Sequence, residues 1–354
     1  MSIGIIEGFY GEDWGWQART SALPFLQAEG LDFYFYAPKG DAYLRKRWRE
    51  AYPPGMRKDL RDFGAACRRH QIAFGVGLSP LRLHETWSSG AARSDLLRRV
   101  ASLNALRLDQ LAILFDDMPG SFPDLAQTQA DIVHLVADQG VAETIMMCPT
   151  YYTDQAILDR LFGARPAGYL EDLGRRLDPA VEICWTGPKV VSTRYPDDHL
   201  DRVAGQLGRR PFIWDNYPVN DGPRMSRFLH LQAPDRPPGV ISRVSRLAIN
   251  PMNQSWLSRI PIAAAARTLQ GLDASLDQDA RTDASIDRLV PAALAALLKR
   301  DWRAFQFEGL DASNDAEKAE GIAEYSAIDH PAAAEVVRWL KGEYIVSADI
   351  LTDA

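Results

Sequence analysis

The chain is short of the residues that would tie it to a disulfide framework, a metal or nucleic acid. Three cysteines, Cys67, Cys148 and Cys184, stand far apart without CxxC spacing. That excludes a thiolate zinc or redox motif and points to a reducing compartment. The six histidines are scattered, with no HExxH and no paired-ligand spacing. Neither a Walker loop nor a G-x-S-x-G elbow occurs, and Gly75-Val76-Gly77 lacks the third glycine of a dinucleotide fingerprint. No apolar run reaches the ~18 residues of a membrane span. Positive charge is in deficit too: a net charge of -7 leaves no basic stripe to neutralise phosphates. No nucleic-acid or membrane partner and no metal or other cofactor is therefore expected. Met1-Ser2 leads straight into Ile3-Gly4-Ile5-Ile6 without a basic n-region or long h-region, so the cytoplasm is the expected compartment unless a leader has been removed.

What remains is ordinary globular material, 46% hydrophobic and 25% charged over 354 residues. Short apolar runs fall at Ile3 to Ile6, Phe33 to Ala37, Ile72 to Leu78, Leu111 to Phe115, Thr144 to Met147, Val181 to Trp185, Pro211 to Trp214 and Arg246 to Ile249. They recur at the spacing of βα units. Between them lies helical periodicity, as in Leu96, Leu97, Val100, Leu103 and Leu106. The pattern predicts an α/β fold, a (β/α)8 TIM barrel over residues 1–270, with a doubly wound sheet as the competitor lacking its glycine signature. After Gly271 a stretch rich in Asp, Ala, Ser and Gln through Asp287 reads as a polar connector. Helical faces follow at Leu294, Leu297, Leu298, Trp302 and Phe305, then at Val336, Val337 and Leu340. Residues 271–354 are thus expected to form a small helical appendage that packs on the barrel or makes a homodimer contact.

In such a barrel the C-terminal strand ends share one mouth. Phe115-Asp116-Asp117-Met118-Pro119-Gly120 puts two neighbouring carboxylates at the fourth end, as catalytic groups or as a helix cap. Gly8-Phe9-Tyr10-Gly11 offers close backbone approach and aromatic walls at the first, and Tyr36-Ala37-Pro38-Lys39-Gly40-Asp41 an ammonium at the second. The fifth brings Cys148-Pro149-Thr150-Tyr151-Tyr152 and the sixth Cys184-Trp185-Thr186-Gly187-Pro188-Lys189-Val190, with the cysteines as pocket floor. Trp214-Asp215-Asn216-Tyr217-Pro218-Val219-Asn220-Asp221 and Asn250-Pro251-Met252-Asn253 add indole, amide and carboxylate groups. Aromatic faces beside amides and carboxylates suit a sugar, whose ring faces stack and whose hydroxyls need both donors and acceptors. Mg²⁺ at the Asp pair fits less well without further oxygen ligands.

Taken in order, Gly8-Phe9-Tyr10-Gly11, Tyr36-Ala37-Pro38-Lys39, Phe115-Asp116-Asp117, Cys148-Pro149-Thr150, Trp185-Thr186-Gly187-Pro188, Trp214-Asp215-Asn216 and Asn250-Pro251-Met252 resemble glycoside hydrolase family 84. These are β-N-acetylglucosaminidases that include protein O-GlcNAcases. The resemblance implies retaining hydrolysis of terminal β-linked GlcNAc through an oxazoline, with the substrate's acetamido oxygen as nucleophile. It implies that Asp116 orients the acetamido N–H and that Asp117 serves as acid and then base. Tyr152 would hold the acetamido oxygen, Trp214 would wall the acetyl pocket over Cys148 and Thr186, and Asn216 would brace the reacting groups. Gly8 and Lys39 would hold the 3-hydroxyl, Asp221 and Asn250 the far edge of the ring, with Phe9 and Val190 also lining the site. The expected partner is a GlcNAc-bearing glycoprotein, peptide or oligosaccharide. A hexosaminidase for chitin- or hyaluronan-like chains and a non-catalytic GlcNAc-binding protein remain as alternatives. Two departures, Asp13 where the family commonly has proline and Trp256 where bacterial relatives often have glutamate, bear on rim shape and aglycone preference.

Overall fold

A computed structural model describes residues 2–347. Within them, eight parallel strands close into a barrel in sequence order. They are β1 (Ile3–Glu7), β2 (Phe33–Tyr36), β3 (Ala73–Leu78), β4 (Gln110–Leu114), β5 (Thr144–Cys148), β6 (Glu182–Trp185), β7 (Phe212–Asp215) and β8 (Leu247–Ile249). The ring is sealed where Ile3 pairs with Leu247 and Ile5 with Ile249. Around it run α1 (Trp16–Ala28), α2 (Pro54–Arg69), α3 (Gly90–Asn104), α4 (Leu125–Gln139), α5 (Ile157–Phe162), α6 (Tyr169–Arg176), α7 (Asp197–Leu207) and α8 (Arg259–Leu269). The expected (β/α)8 barrel is what forms.

β2 shows why these strands read as unbroken apolar runs. Side chains alternate in direction along a strand, and in a barrel both directions are buried. Phe33 and Phe35 point inward and meet Phe212 of β7 across the interior, with ring centroids 5.9 and 6.4 Å apart. Tyr34 and Tyr36 point outward onto Phe63 of α2 and Trp16 of α1, at 5.1 and 5.5 Å. The outward hydroxyl of Tyr36 then donates to Asp41 (2.9 Å), as does that of Tyr52 (3.0 Å). Asp41 also accepts the Tyr43 N–H (2.8 Å), so the loop that carries Lys39 is anchored from behind.

Beyond the barrel lie α9 (Gln278–Leu289), α10 (Ala292–Phe307), α11 (Asp315–Ser326) and α12 (Pro331–Leu340). The stretch read as a polar connector is helical over its second half. Asp277 caps α9 by accepting the Ala280 N–H (2.8 Å). Its inward face mixes apolar Ile286 with small polar residues: buried Thr282 accepts the Ala233 N–H (2.8 Å) and donates to the Gln278 carbonyl (2.7 Å). A hydrogen-bonded helix face of this kind has no hydrophobic period to read. Leu294, Leu298, Trp302, Phe305, Val336 and Leu340 share one core with Leu229, Leu231, Met252, Leu257 and Ile260. The appendage therefore packs on the segments that follow β7 and β8.

Candidate active site

Every strand but β3 sends a residue to one cavity of about 260 Å³ at the C-terminal mouth of the barrel. It is lined by Gly8, Tyr10, Lys39, Asp116, Asp117, Cys148, Tyr152, Thr186, Val190, Val191, Trp214, Asn216, Val219, Asp221, Gly222 and Asn250. At the small end of ligand pockets, it has room for about one sugar unit.

The adjacent carboxylates are held apart by different partners. Asp116 receives the Lys39 ammonium on Oδ2, both side chains being almost wholly buried. Its other oxygen, Oδ1, is buried with no protein partner among the described residues. An unsatisfied carboxylate oxygen in a dry site is costly unless a ligand donor meets it. Asp117 lies beyond the strand with φ +57°. The Arg45 guanidinium supports that left-handed turn, donating to the Asp117 carbonyl (2.9 Å) while its other arm holds Ser79 (2.8 Å). The Asp117 carboxylate takes hydroxyls on both oxygens, from Tyr10 (2.9 Å) and Tyr152 (3.2 Å). Burial first, and then the Asp117 charge, raise the pKa of both tyrosine hydroxyls far above that of an ordinary phenol, so both stay protonated donors.

The opposite wall is a hydrogen-bonded chain. The Gly8 N–H donates to Asn250 Oδ1 (3.1 Å), Asn250 Nδ2 to Asn216 Oδ1 (2.9 Å), and Asn216 Nδ2 to the Val190 carbonyl (3.0 Å). Gly8 lies flat against the Trp214 indole, where an added Cβ would sit 2.3 Å from Cζ2. The indole N–H of Trp214 is another buried group without a protein partner among the described residues. Thr186 donates to the Lys189 carbonyl (3.0 Å) and fastens the β6 loop to the loop after β5 through its N–H to the Tyr152 carbonyl (2.9 Å). Asp221 accepts the Tyr10 N–H (3.0 Å). Burial pushes its carboxyl up to about 6, helped by the nearby Asp117 charge. Cys148 forms floor, its thiol driven up by burial, which makes it inert packing.

Of the residues read from the sequence, Gly8, Lys39, Asp116, Asp117, Cys148, Tyr152, Thr186, Val190, Trp214, Asn216, Asp221 and Asn250 meet at this cavity. Phe9 does not: its ring is fully buried against Trp14 (6.1 Å), and it offers only its carbonyl to the Lys39 N–H (3.1 Å). Tyr10, next to it, is the aromatic that reaches the carboxylates. Its motif is visible in the sequence, but the motif does not say which of the two rings faces the cavity. Arg45 had no signal, being one of four basic residues in Arg45-Lys46-Arg47-Trp48-Arg49. The residues present offer no metal cage, since no group of three or more His, Cys, Asp or Glu side chains converges among those described.

Residues 3–300 match the family described as beta-N-acetylglucosaminidase. The protein O-GlcNAcases of mouse and of rat are each 33% identical to the chain over 235 residues, 64% of this chain and 25% of theirs. The chain thus spans about a quarter of the length of these curated relatives. A solved structure of a mutant O-GlcNAc hydrolase from Thermobaculum terrenum superposes with a TM-score of 0.76 at 29% identity, covering 96% of this chain and 80% of that one. With nearly the whole barrel and its site inside the matched span, the chain belongs to the β-N-acetylglucosaminidase family.

Proposed function

We propose that the chain is a retaining exo-β-N-acetylglucosaminidase that removes single β-linked GlcNAc units, from protein Ser or Thr, through an oxazoline intermediate. The observation that carries this reading is the divided environment of the Asp pair: Asp116 is neutralised on one oxygen and open on the other, and Asp117 is gripped by two hydroxyls. Two residues side by side at one strand end cannot flank a glycosidic bond from both faces, as nucleophile and acid do at about 5–5.5 Å separation in ordinary retaining enzymes. They can serve neighbouring atoms of one substrate.

In this mechanism Asp116 Oδ1 accepts the acetamido N–H. As the acetamido oxygen attacks the anomeric carbon, positive charge grows on that group beside the carboxylate, and Lys39 keeps Asp116 aimed. Asp117 gives its proton to the departing oxygen and later takes one from the water that opens the oxazoline, which enters on the face the aglycone left. Two inversions give net retention. Tyr152 turns its hydroxyl from Asp117 to the acetamido oxygen, and Trp214 fixes the acetyl group for attack. Such positioning is worth several kcal/mol of barrier. Lys39 and Gly8 meet the 3-hydroxyl, and Asp221 the far hydroxyls. Asn250 and Asn216 spend their amides on Gly8 and Val190, and act as the brace of that wall. We assign residues 1–270 to this catalytic barrel and 271–354 to the appendage.

The test is turnover of a chromogenic β-N-acetylglucosaminide by the wild type, Asp116→Asn and Asp117→Asn, with an O-GlcNAc peptide and a chitin disaccharide compared as natural substrates. Both variants should lose at least about 10²-fold in kcat/KM. Progressive N-fluorination of the acetyl group should slow the wild type, because it weakens the acetamido nucleophile. A flat fluorine series would replace the substrate nucleophile with a protein one, and faster disaccharide cleavage would move the aglycone from protein to oligosaccharide.

A further inference from the structure

α12 lies outside the barrel and is tied to the site through the turn after β8. On it Glu335 is only 9% exposed, and its carboxylate accepts the N–H of Trp256 (3.0 Å to each oxygen), the N–H of Leu257 (2.9 Å) and the hydroxyl of Ser255 (3.2 Å). These donors form the turn that leads from β8 into α8, where backbone N–H groups would otherwise lack partners. Burial pushes Glu335 up to about 7, while the donors and Arg259 pull it back. A buried carboxylate is an expensive way to fill a helix interface, and what it holds leads to the site.

Two residues before Ser255, Asn253 Nδ2 donates to the carbonyls of Tyr10 (2.9 Å) and Glu12 (3.1 Å). The Asn253 N–H donates to Asn220 (3.1 Å), the neighbour of Asp221, which holds the Tyr10 N–H (3.0 Å). Tyr10 ends the chain of contacts at Asp117 (2.9 Å). α12 and the segment after it also grip the far side of the β1 loop. Arg338, one turn after Glu335, pairs with Glu12 (2.7 and 3.1 Å), and Val346 packs on Gly11 while its N–H donates to Ser226 (3.1 Å).

We propose that Glu335 is a positioning residue for proton transfer: by clamping the turn after β8 it fixes Asn253, and through it the Tyr10 hydroxyl that orients Asp117. The inference rests on Asp117 being the acid. Tyr10 aims a carboxylate rather than the sugar itself. Loosening the clamp therefore weakens proton donation more than sugar binding, and it matters most when the leaving group needs the proton.

The experiment compares Glu335→Ala, Glu335→Gln and Arg338→Ala on phenyl and dinitrophenyl β-N-acetylglucosaminides, with hydrogen exchange read over residues 8–11. For Glu335→Ala, kcat/KM on the phenyl substrate should fall about tenfold and on the dinitrophenyl substrate less than about twofold. Glu335→Gln, which keeps one acceptor, should lie between, and exchange over residues 8–11 should quicken. Arg338→Ala breaks an exposed pair without stranding a buried charge, so it carries the same comparison if Glu335→Ala does not fold. An equal loss on both substrates, or none, overturns the proposal. A wild type that turns over neither substrate defeats the functional reading instead. Exchange then decides the clamp alone, and unchanged rates over residues 8–11 in the variants would overturn it.

Discussion

Gly8→Ala is the smallest change that should dismantle the sugar pocket. The added methyl would sit 2.3 Å from Cζ2 and 2.8 Å from Cη2 of Trp214, against an ordinary carbon contact of about 3.5–4.0 Å. One partner must therefore move by more than ~1 Å. Gly8 cannot yield easily, because its N–H is bonded to Asn250 and it continues from a barrel strand. Trp214 is 4% exposed, and the open space beside it is the cavity it lines, so a displaced indole would intrude on the site. Overpacking of this kind costs about 1–3 kcal/mol of stability. A displacement near 1 Å at the wall proposed to seat the acetyl group should cost about 10²-fold in kcat/KM. Trp214→Phe removes part of the obstructing ring, so the double variant should be more stable than the two single losses predict, with a coupling of about 1 kcal/mol. Denaturation midpoints and kcat/KM on a chromogenic substrate measure both effects. Wild-type activity in Gly8→Ala, or strictly additive stabilities, would refute the close packing of glycine on indole.

Two other expectations concern charge. Lys39→Ala strands the Asp116 carboxylate in a buried site and should cost about 3–5 kcal/mol, most of it recovered in Lys39→Ala/Asp116→Asn; equal instability of the single and double variants, read by chemical denaturation, would argue against the pair. Asp221 is raised to about 6 by burial, so it is ionised above that pH and increasingly protonated below it. As pH falls through about 6, KM should rise because the carboxyl accepts sugar hydroxyls less well, and Asp221→Asn should remove that limb; an unchanged KM profile in the variant would count against Asp221 touching the substrate.

The barrel was legible because its strands are buried on both faces. Each apolar run became a strand with ends shifted by no more than one residue, as in Leu111 to Phe115 against Gln110–Leu114. Polar residues just beyond those runs converge for the same reason, since parallel strands point all their C-terminal ends one way. Reading failed where polar groups, not apolar periodicity, supply the contacts. α9 turns Thr282 and Ser285 inward, and Arg45 reaches Asp117 from a charge cluster that looks like solvated surface. Glu335 is the extreme case: a single acidic residue on an amphipathic helix gives no sign that its carboxylate is buried some 80 positions away in sequence, at Ser255.

The left-handed residue at the end of β4 explains how neighbours in sequence can both be chemical. In an extended strand, consecutive side chains leave in opposite directions, and in a barrel one of them would enter the helix layer. Asp116 and Asp117 both line the cavity because the chain abandons strand geometry at once: Asp117 adopts φ +57°. Aspartate tolerates that conformation better than most residues, though at some energetic cost, and the bond from Arg45 to its carbonyl holds it there. The turn thus converts adjacency from an obstacle into the working geometry, with one carboxylate directed into the Lys39 pocket and the other lifted between two tyrosine hydroxyls. A protein nucleophile opposite Asp117 would have to come from another strand end. Beside Asp221, whose carboxylate is engaged by the Tyr10 N–H, the groups on that wall are amides and an indole, Asn216, Asn250 and Trp214, none of which is a nucleophile. Such a wall fits the proposed attack by the substrate's own acetamido oxygen.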